Sequence, residues 1–243
     1  MTEEKTTAEN ILHKIKSRGY WEVIIRPTRF EEERFSLSEC IQKVRECNVR
    51  LRGWDYPHVS SRHPPYIGGA DYWESMTDFN GHKETWRIYQ SGQFVHLFGC
   101  HEDWLGEPTL FFGPSKYAHI KPGSVLGVIM TLYTVTEIYE FATRLAQKRL
   151  FNGTSFLSIT LHGMKNRKLT FFDSRRYLPD EYICNIVDLK RPEKSIAVDE
   201  LLGRGHEMAL DHTIWILTRF KWLNPPKEIL GTEQQKFLKG IYA

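Results

Sequence analysis

The stretch that most constrains the fold of this chain is residues 84–100, ETWRIYQSGQFVHLFGC. Its side chains alternate in character on both sides of Ser91-Gly92, and such alternation around a two-residue turn that contains glycine is typical of a β-hairpin. The predicted cross-strand pairs are Gln90 with Gln93, Tyr89 with Phe94, Ile88 with Val95, Arg87 with His96, and Trp86 with Leu97. The sequence therefore predicts a hairpin within a larger sheet.

The two faces of this hairpin differ in chemistry, because successive side chains of a strand point to opposite faces of a sheet. The predicted core face holds Trp86, Ile88, Val95 and Leu97, and the other face holds Arg87, Tyr89, Phe94 and His96. Aromatic rings beside a cation and an imidazole can stack a planar ligand and contact its phosphate. Alternatively, a helix or a second sheet covers this face. A register shift of one residue would exchange the faces.

Length and composition are ordinary for a globular protein, with 243 residues of which 41% are hydrophobic and 26% are charged. Such a chain forms one large domain or two small ones. Its formal net charge of +3 argues against a generic polyanion binder. However, residues 121–243 carry 18 lysine and arginine residues against 13 acidic ones, so attraction to phosphate is expected mainly in the C-terminal half.

Several features predict a soluble cytoplasmic protein that does not enter a membrane. The N-terminus is charged and lacks the apolar core of a secretion signal. The longest apolar run, residues 125–132, is too short to span a bilayer. The cysteines lack paired metal-ligand spacing and are expected to be reduced, mostly buried thiols; they are Cys40, Cys47, Cys100 and Cys184.

Capping-box patterns, in which a serine or threonine precedes a glutamate by three positions, predict where helices begin. They are Thr6 with Glu9, Ser36 with Glu39, and Thr134 with Glu137. Residues 206–222 are apolar on nearly all sides and predict a buried helix. Pro225-Pro226 separates it from a short terminal helix.

Strands are predicted between these helices, at residues 21–26, 109–112 and 125–132, and as an antiparallel meander at 155–162, 169–172 and 182–189. The pattern predicts an α+β protein with a mainly antiparallel sheet and packed amphipathic helices. Glycine and proline within residues 113–123 predict a division into two closely associated halves, residues 1–113 and 123–243.

Residues 50–78 lack periodicity and are rich in glycine, proline and aromatic residues, so they predict a long ordered loop. Loops of this length are uncommon in compact domains and are often functional. Several of its side chains favour contact with a ligand, although packing over a sheet also explains the aromatic ones: Arg52, Trp54, Asp55, Tyr56, His58, Arg62, His63 and Tyr66.

The best enzymatic candidate is metal-dependent phosphodiester cleavage at Asp188-Leu189-Lys190, where an acidic residue, a spacer and a lysine end a predicted strand. A second carboxylate for the metal would come from Asp173 or Asp180. Both lie at the opposite end of the predicted strand pair from Asp188, which counts against joint coordination.

Other catalytic motifs are weaker. His206 and His212 are six positions apart, whereas a zinc peptidase helix requires four. Adjacent loop residues such as His101-Glu102-Asp103 rarely converge on one ion. The sequence contains no nucleophile elbow and no phosphate-binding loop. We therefore assign no catalytic residue, no metal site and no cofactor; the sequence favours a non-catalytic protein and leaves an enzyme open as the alternative.

Basic residues cluster on two turns of the predicted meander, as phosphate-contacting groups often do; they are Lys165, Arg167, Lys168, Arg175 and Arg176. We predict a non-catalytic recognition or regulatory subunit that binds nucleic acid or another phosphate-bearing ligand between the hairpin face and these turns. The alternatives are a protein–protein adaptor or accessory subunit of a larger complex, and the metal-dependent nuclease. The leading prediction requires the two regions to meet in space.

Overall fold

The structure is a computed structural model, and it describes residues 8–59, 61, 64–79, 81–107, 117 and 119–241. Its helices are α1 (Ala8–Lys16), α2 (Leu37–Cys47), α3 (Val128–Gln147), α4 (Val198–Arg219) and α5 (Lys227–Leu238), with a 3-10 helix at His101–Asp103. Its strands are β1 (Tyr20–Pro27), β2 (Tyr66–Ile67), β3 (Tyr72–Phe79), β4 (His82–Tyr89), β5 (Phe94–Gly99), β6 (Val125–Gly127), β7 (Thr154–His162), β8 (Lys168–Thr170), β9 (Leu189–Lys190) and β10 (Ser195–Ala197).

One large antiparallel sheet organises the fold, in the order β10-β7-β1-β5-β4-β3-β2, with β9 beside β7. The α+β prediction is confirmed. Strand β1 pairs with β5 on one side and β7 on the other, so the sheet takes strands from both sides of the predicted division at 113–123. That division stays a prediction, and residues 113–116 and 118 lie outside the described residues.

The hairpin exists, but its predicted register is wrong by one residue. Ile88 pairs with Phe94, and Trp86 pairs with His96. The N–H of Tyr89 donates to the carbonyl of Gln93 at 2.9 Å, which leaves three residues in the turn. Gly92 occupies the left-handed region at φ +82°, as three-residue hairpin loops with a glycine bulge require. This extra turn residue moves Phe94 and His96 to the core face.

That core face is covered by helices, and the opposite face is covered in part by α1. Phe141 of α3 packs against Phe94 with ring centroids 4.9 Å apart. On the other face, α1 contacts β3, β4 and β5, and Nζ of Lys14 lies 2.8 Å from Oδ2 of Asp78. Both aromatic and aliphatic side chains of the sheet are thus sequestered from water between layers.

The first helix–strand unit follows local rules closely. Strand β1 contains the predicted residues 21–26, and Trp21, Val23 and Ile25 are buried. The capping box at α2 is confirmed, because the backbone N–H of Glu39 donates to Oγ of Ser36 and the N–H of Ser36 donates to the Glu39 carboxylate. Thr6, the predicted cap of α1, lies outside the described residues.

The predicted strand at 125–132 is wrong for most of its length. Only Val125–Gly127 is extended, and α3 begins at Val128, because a short β-branched apolar run does not by itself distinguish a strand from a buried helix. Thr134 and Glu137 consequently lie inside α3 and do not cap it. The predicted strand at 109–112 lies outside the described residues.

The predicted meander is also wrong. Strand β8 pairs in parallel with β6 in a separate small sheet, not with β7. Residues 182–189 form a strand only from Leu189 onward, where β9 pairs with β7. Between them the chain makes a single bridge, Lys168 with Ile183. Strong hydrophobic alternation therefore marked buried positions here without defining strand partners.

The predicted loop at 50–78 is shorter than expected, because β2 and β3 occupy its second part. The remaining loop folds back onto the sheet, where Val49 and Tyr56 form an antiparallel bridge. Elsewhere, all four cysteines are free and buried, as predicted. None of the described helices combines the length and the apolar character needed to cross a membrane.

Candidate functional site: a carboxylate-lined cavity

A candidate functional site is a cavity of about 330 Å³ on the core face of the sheet. Loop residues 52–56, the ends of β1, β4 and β5, the 3-10 helix and α3 line it. Gly53 is exposed and Arg52 is half-buried, so the loop forms a mouth that reaches the surface. The volume falls within the range of small-molecule pockets. We refer to it as the carboxylate cavity, because Asp55, Glu84, Glu102 and Glu137 are among its lining residues.

Glu84 is the acceptor that holds the loop against the sheet. Its Oε1 accepts from Nε1 of Trp54 at 2.7 Å, and its Oε2 accepts from the backbone N–H of His58 at 3.2 Å. Nε2 of His96 lies 2.9 Å from the same Oε2. Although burial opposes ionisation, the hydrogen bond and charge of His96 help to lower the pKa of Glu84. Glu84 is therefore an ionised carboxylate, and its hydrogen bonds fix the loop geometry.

Glu137 forms the second acidic group, facing the loop from α3. Nη2 of Arg52 lies 2.6 Å from its Oε2, and Nε of Arg52 lies 3.0 Å from its Oε1, which is a bidentate pair. Burial raises the pKa of Glu137 to about 7, against the lowering effect of Arg52 and with added repulsion from Glu84. The cavity therefore contains one carboxylate that stays ionised and one that changes charge near neutral pH.

Glu102 and Asp103 on the 3-10 helix have different roles. Oε1 of Glu102 accepts from the N–H of Gly127 at 2.8 Å, and burial raises the pKa of this carboxyl group. Asp103 instead pairs with Arg167, with Nη2 and Oδ2 2.5 Å apart and both side chains 1% exposed. It also accepts from the N–H groups of Gly19 and Gly123. Only Glu102 faces the cavity; Asp103 is a structural ion pair.

A stack of rings forms one wall of the cavity. Trp54 lies between His58 and His82, with both centroid distances 3.9 Å, and His101 lies 4.9 Å beyond His82. Burial lowers the pKa of His82 to about 3 and that of His101 to about 4. His58 differs, since its hydrogen bond to Asp55 raises its pKa against the effect of burial. His82 and His101 are therefore neutral at pH 7.

Three polar atoms at this cavity have no hydrogen-bond partner among the described residues: the Tyr56 hydroxyl, Nδ1 of His96 and Nδ1 of His101. Tyr56 is 6% exposed and His96 is 1% exposed. Buried polar groups are nearly always hydrogen-bonded, and an unpaired one costs free energy. Other such atoms lie elsewhere in the described part of the chain, but these three adjoin one cavity, where water or a ligand would complete their hydrogen bonds.

Metal binding receives no support from the part of the chain that the structure describes. Within it, no group of three or more histidine, cysteine, aspartate and glutamate residues is arranged to hold a metal ion. The cavity carboxylates are instead engaged by nitrogen donors: Trp54 and His96 for Glu84, and Arg52 for Glu137.

The predicted four-residue binding face is not assembled, because of the register shift. Phe94 and His96 lie on the covered face and are buried. Arg87 and Tyr89 lie on the opposite face, where Nε of Arg87 is 2.6 Å from Oε1 of Glu74 and its guanidinium lies over Tyr72. His96 thus belongs to the cavity, while Arg87 pairs with a carboxylate outside it.

The basic residues of the two predicted turns also differ in burial and in their partners. Arg167 is buried against Asp103, whereas Lys165 and Lys168 are exposed. Several of the five have acidic partners: Lys168 pairs with Glu181, Arg175 with Asp173, and Arg176 with Asp173 and Glu233. These pairs reduce the positive charge available to a phosphate.

The hairpin turn and the first basic turn lie at opposite ends of β1. Gly92 approaches Pro27 at the end of β1, and Gly163 approaches Gly19 just before its start. Seven steps along an extended strand span roughly 23 Å. The hairpin end that carries Arg87 and Tyr89 therefore does not meet the turn that carries Lys165 and Lys168. Nucleic-acid binding stays a prediction, without a surface that joins the hairpin to the first basic turn.

The acidic residues proposed for a nuclease site each contact a different partner. Asp188 accepts from the N–H of Gly163 and lies 3.3 Å from Nδ1 of His162, while Asp173 pairs with arginines. Asp180 accepts from the adjacent backbone N–H of Glu181. On α4, His206 pairs with Glu140, and His212 lies near the Tyr139 hydroxyl. Each of these groups thus has its own local partner.

Sequence reasoning drew attention to the loop at Arg52–His58 but did not identify Glu84 or Glu137 as site residues. A signal was present for both. Glu84 shares strand parity with the core residues Trp86 and Ile88, and Glu137 lies within the apolar run of α3. A charged residue at a core position is rarely buried without a partner, which makes such positions informative.

Comparisons with known proteins identify no relative of this chain: no protein-family model, no curated protein and no solved structure matches it.

Proposed function

We propose that this protein recognises a small polar molecule, neutral or positively charged, in the carboxylate cavity. The observation that carries the proposal is the set of unpartnered buried atoms, on Tyr56, His96 and His101, around a cavity of about 330 Å³. Small-molecule sites typically combine apolar and aromatic walls with a few convergent polar groups. The cavity has this composition.

The charged residues that line the cavity favour a ligand that is neutral or positively charged. The acidic lining residues are Asp55, Glu84, Glu102 and Glu137, and the guanidinium of Arg52 is already held by Glu137. His82 and His101 add no positive charge at pH 7, because burial lowers their pKa to about 3 and about 4. The other lining cation, Lys83, is paired with Asp78 and Glu107. An anionic ligand would therefore meet buried carboxylates and, among the described lining residues, no unpaired cation. This argues for ligand recognition by hydrogen bonds and against capture of a phosphate group here.

The test is a binding screen with chemically distinct probes: adenine, adenosine, glucose, tetramethylammonium and inorganic phosphate. We expect saturable binding of at least one neutral or cationic probe, measured by calorimetry and by the thermal unfolding midpoint. Gly53→Trp should reduce that binding, because Gly53 lies at the mouth and the new side chain would narrow it. The fold should tolerate this side chain, since no atom lies within 4 Å of a Cβ added at Gly53. Gly203→Trp, at an equally open glycine in α4, is the matched control.

Two outcomes would overturn the proposal. One is that no neutral or cationic probe binds at millimolar concentration. The other is that Gly53→Trp and the control bind the probes as tightly as the unchanged protein.

Acid–base catalysis is a second candidate for the same cavity. The pKa of Glu84 is lowered and that of Glu137 is raised to about 7, and pairs of carboxyl groups held in different protonation states often serve as base and acid. Mass spectrometry of a bound probe after prolonged incubation distinguishes the two functions. Recovery of the unchanged compound would exclude catalysis on it and leave recognition as the function.

A further inference from the structure

We infer that the ligand of the carboxylate cavity is a flat nitrogen heterocycle with an amino group, the chemical class of aminopurines and aminopyrimidines. This inference rests on the proposed function, since it names the ligand of the same site. The argument combines the shape of the walls, the balance of donors and acceptors, and the charge at the mouth.

The walls favour a planar ring. Trp21 and Phe98 are stacked on one another with an interplanar angle of 5°, and both line the cavity beside Tyr56. Tyr56 meets Phe98 edge-on with centroids 6.0 Å apart. A planar ring can pack against aromatic surfaces of this kind, and such contacts add to the free energy of burial.

The polar groups favour a ligand that donates hydrogen bonds. Because the ionised Glu84 can only accept, Nε2 of His96 carries the proton between them. Nδ1 of His96 has no described partner. Oε1 of Glu84 accepts from Nε1 of Trp54 and keeps a second lone pair, which can accept from a ligand. The Tyr56 hydroxyl supplies a donor, so one ligand edge with both an amino N–H and a ring nitrogen satisfies both types of group.

The mouth disfavours a phosphate on the ligand. Arg52 lies there with its side chain 23% exposed, but both carboxylate oxygens of Glu137 hold it. Asp55 lies on the same loop and is engaged by His58. A phosphate would have to break the Arg52–Glu137 pair or lie beside carboxylates, both of which are costly. The base or nucleoside is therefore expected to bind more tightly than the nucleotide.

Calorimetric titration of the full chain with adenine, purine, adenosine and AMP tests the inference, with glucose and tetramethylammonium as other ligand classes. We expect adenine to bind roughly tenfold more tightly than purine, because purine lacks the amino donor. We expect AMP to bind at least about tenfold more weakly than adenosine. Equal affinities for adenine and purine, or tighter binding of AMP, would overturn the inference.

Variants connect the binding to the cavity. Tyr56→Phe removes only the buried hydroxyl and should weaken adenine binding by roughly three- to tenfold, whereas Tyr177→Phe, at an 84% exposed tyrosine, should not. Unchanged adenine affinity in Tyr56→Phe would contradict the assigned contact and overturn the inference.

The same experiment separates this inference from the proposed function. If only glucose or tetramethylammonium binds, and Gly53→Trp abolishes that binding, the heterocycle is wrong while the cavity remains a ligand site. If no probe binds, both fail.

Discussion

Nε2 of His96 lies 2.9 Å from Oε2 of Glu84, although the two residues are not direct cross-strand partners. Both are buried, and the carboxylate also holds Trp54 and the backbone of His58. The contact exists because the hairpin register places His96 on the helix-covered face. It joins the central hairpin to the loop that forms the cavity mouth.

Replacing Glu84 should therefore destabilise the protein. Glu84→Gln converts two carboxylate acceptors into one acceptor and one donor, and the N–H groups of Trp54, His58 and His96 then compete for the single oxygen. We expect a loss of about 2–4 kcal/mol in the free energy of unfolding. Urea denaturation monitored by tryptophan fluorescence measures it. Glu181→Gln, at a 62% exposed side chain, is the matched control and should change stability by less than about 0.5 kcal/mol.

Removal of the Tyr56 hydroxyl, in contrast, should not destabilise the protein. It is buried without a described partner, so Tyr56→Phe removes an unpaired polar group and should leave the free energy of unfolding unchanged or raise it by about 1 kcal/mol. Tyr139→Phe is the matched comparison, because the Tyr139 hydroxyl lies 3.2 Å from Nδ1 of His212, and its loss should cost about 1 kcal/mol. Equal destabilisation by both substitutions would show that Tyr56 has a partner in the free protein.

The hairpin register can be tested by truncation. Phe94 is fully buried against Phe141, whereas Val95 is half-buried on the opposite face. Phe94→Ala should cost about 3–5 kcal/mol and Val95→Ala about 1 kcal/mol, in thermal or urea unfolding. The register read from the sequence places Val95 in the core and Phe94 on the other face, so it requires the reverse order.

The Arg167–Asp103 pair should contribute to stability and not to phosphate binding. Both side chains are 1% exposed, and Arg167→Met leaves a buried carboxylate without its partner. We expect a loss of about 3–5 kcal/mol. Lys168→Met, whose partner Glu181 is exposed, should cost less than about 1 kcal/mol. A small effect for Arg167→Met would indicate that the guanidinium is free to contact a ligand.

Acid should weaken the fold through its buried histidines. His212 is 3% exposed, and burial lowers its pKa to about 3. Between that value and the unfolded pKa of about 6.5, the unfolded chain binds a proton that the folded one does not, so stability falls as pH falls, by roughly 1 kcal/mol per pH unit. His212→Phe should flatten the stability profile between about pH 4.5 and 6.5. Parallel profiles would contradict the neutral buried state.

Ionisation of Glu137 should instead lower the stability of the fold as the pH rises. Burial raises the pKa of Glu137 in the folded protein to about 7, above the ordinary value of 4.5, so the folded state binds the extra proton between these values. Its contribution to stability is present below about pH 4.5 and is lost as pH rises through 7. Glu137→Gln, compared with unchanged protein in the same pH series, should remove that loss. The variant also releases Arg52, whose side chain can reach water.

Part of this fold could be predicted because it depends on neighbouring residues. The capping box of Ser36 and Glu39 satisfies the first N–H groups of α2 within one turn, and the alternation of Trp21, Val23 and Ile25 marks one buried face of β1. The predicted register of the hairpin was wrong by one residue, because the length of the turn depends on the backbone conformation of Gly92, which composition does not reveal. The strand predicted at residues 128–132 was wrong, because a buried helix and a buried strand share the same apolar composition.

The sequence by itself determined that the chain forms an α+β fold and where α2 and α5 begin, and it indicated a functional interpretation of the aromatic, histidine-rich segment near Arg52–His58. Only the tertiary structure decided that this segment meets Glu84 of β4 and Glu137 of α3, which lie 32 and 85 positions beyond Arg52. The reason is physical. A cavity forms where distant elements pack imperfectly around polar groups, and the burial that raises the pKa of Glu137 and leaves the Tyr56 hydroxyl unpaired exists only in the folded chain.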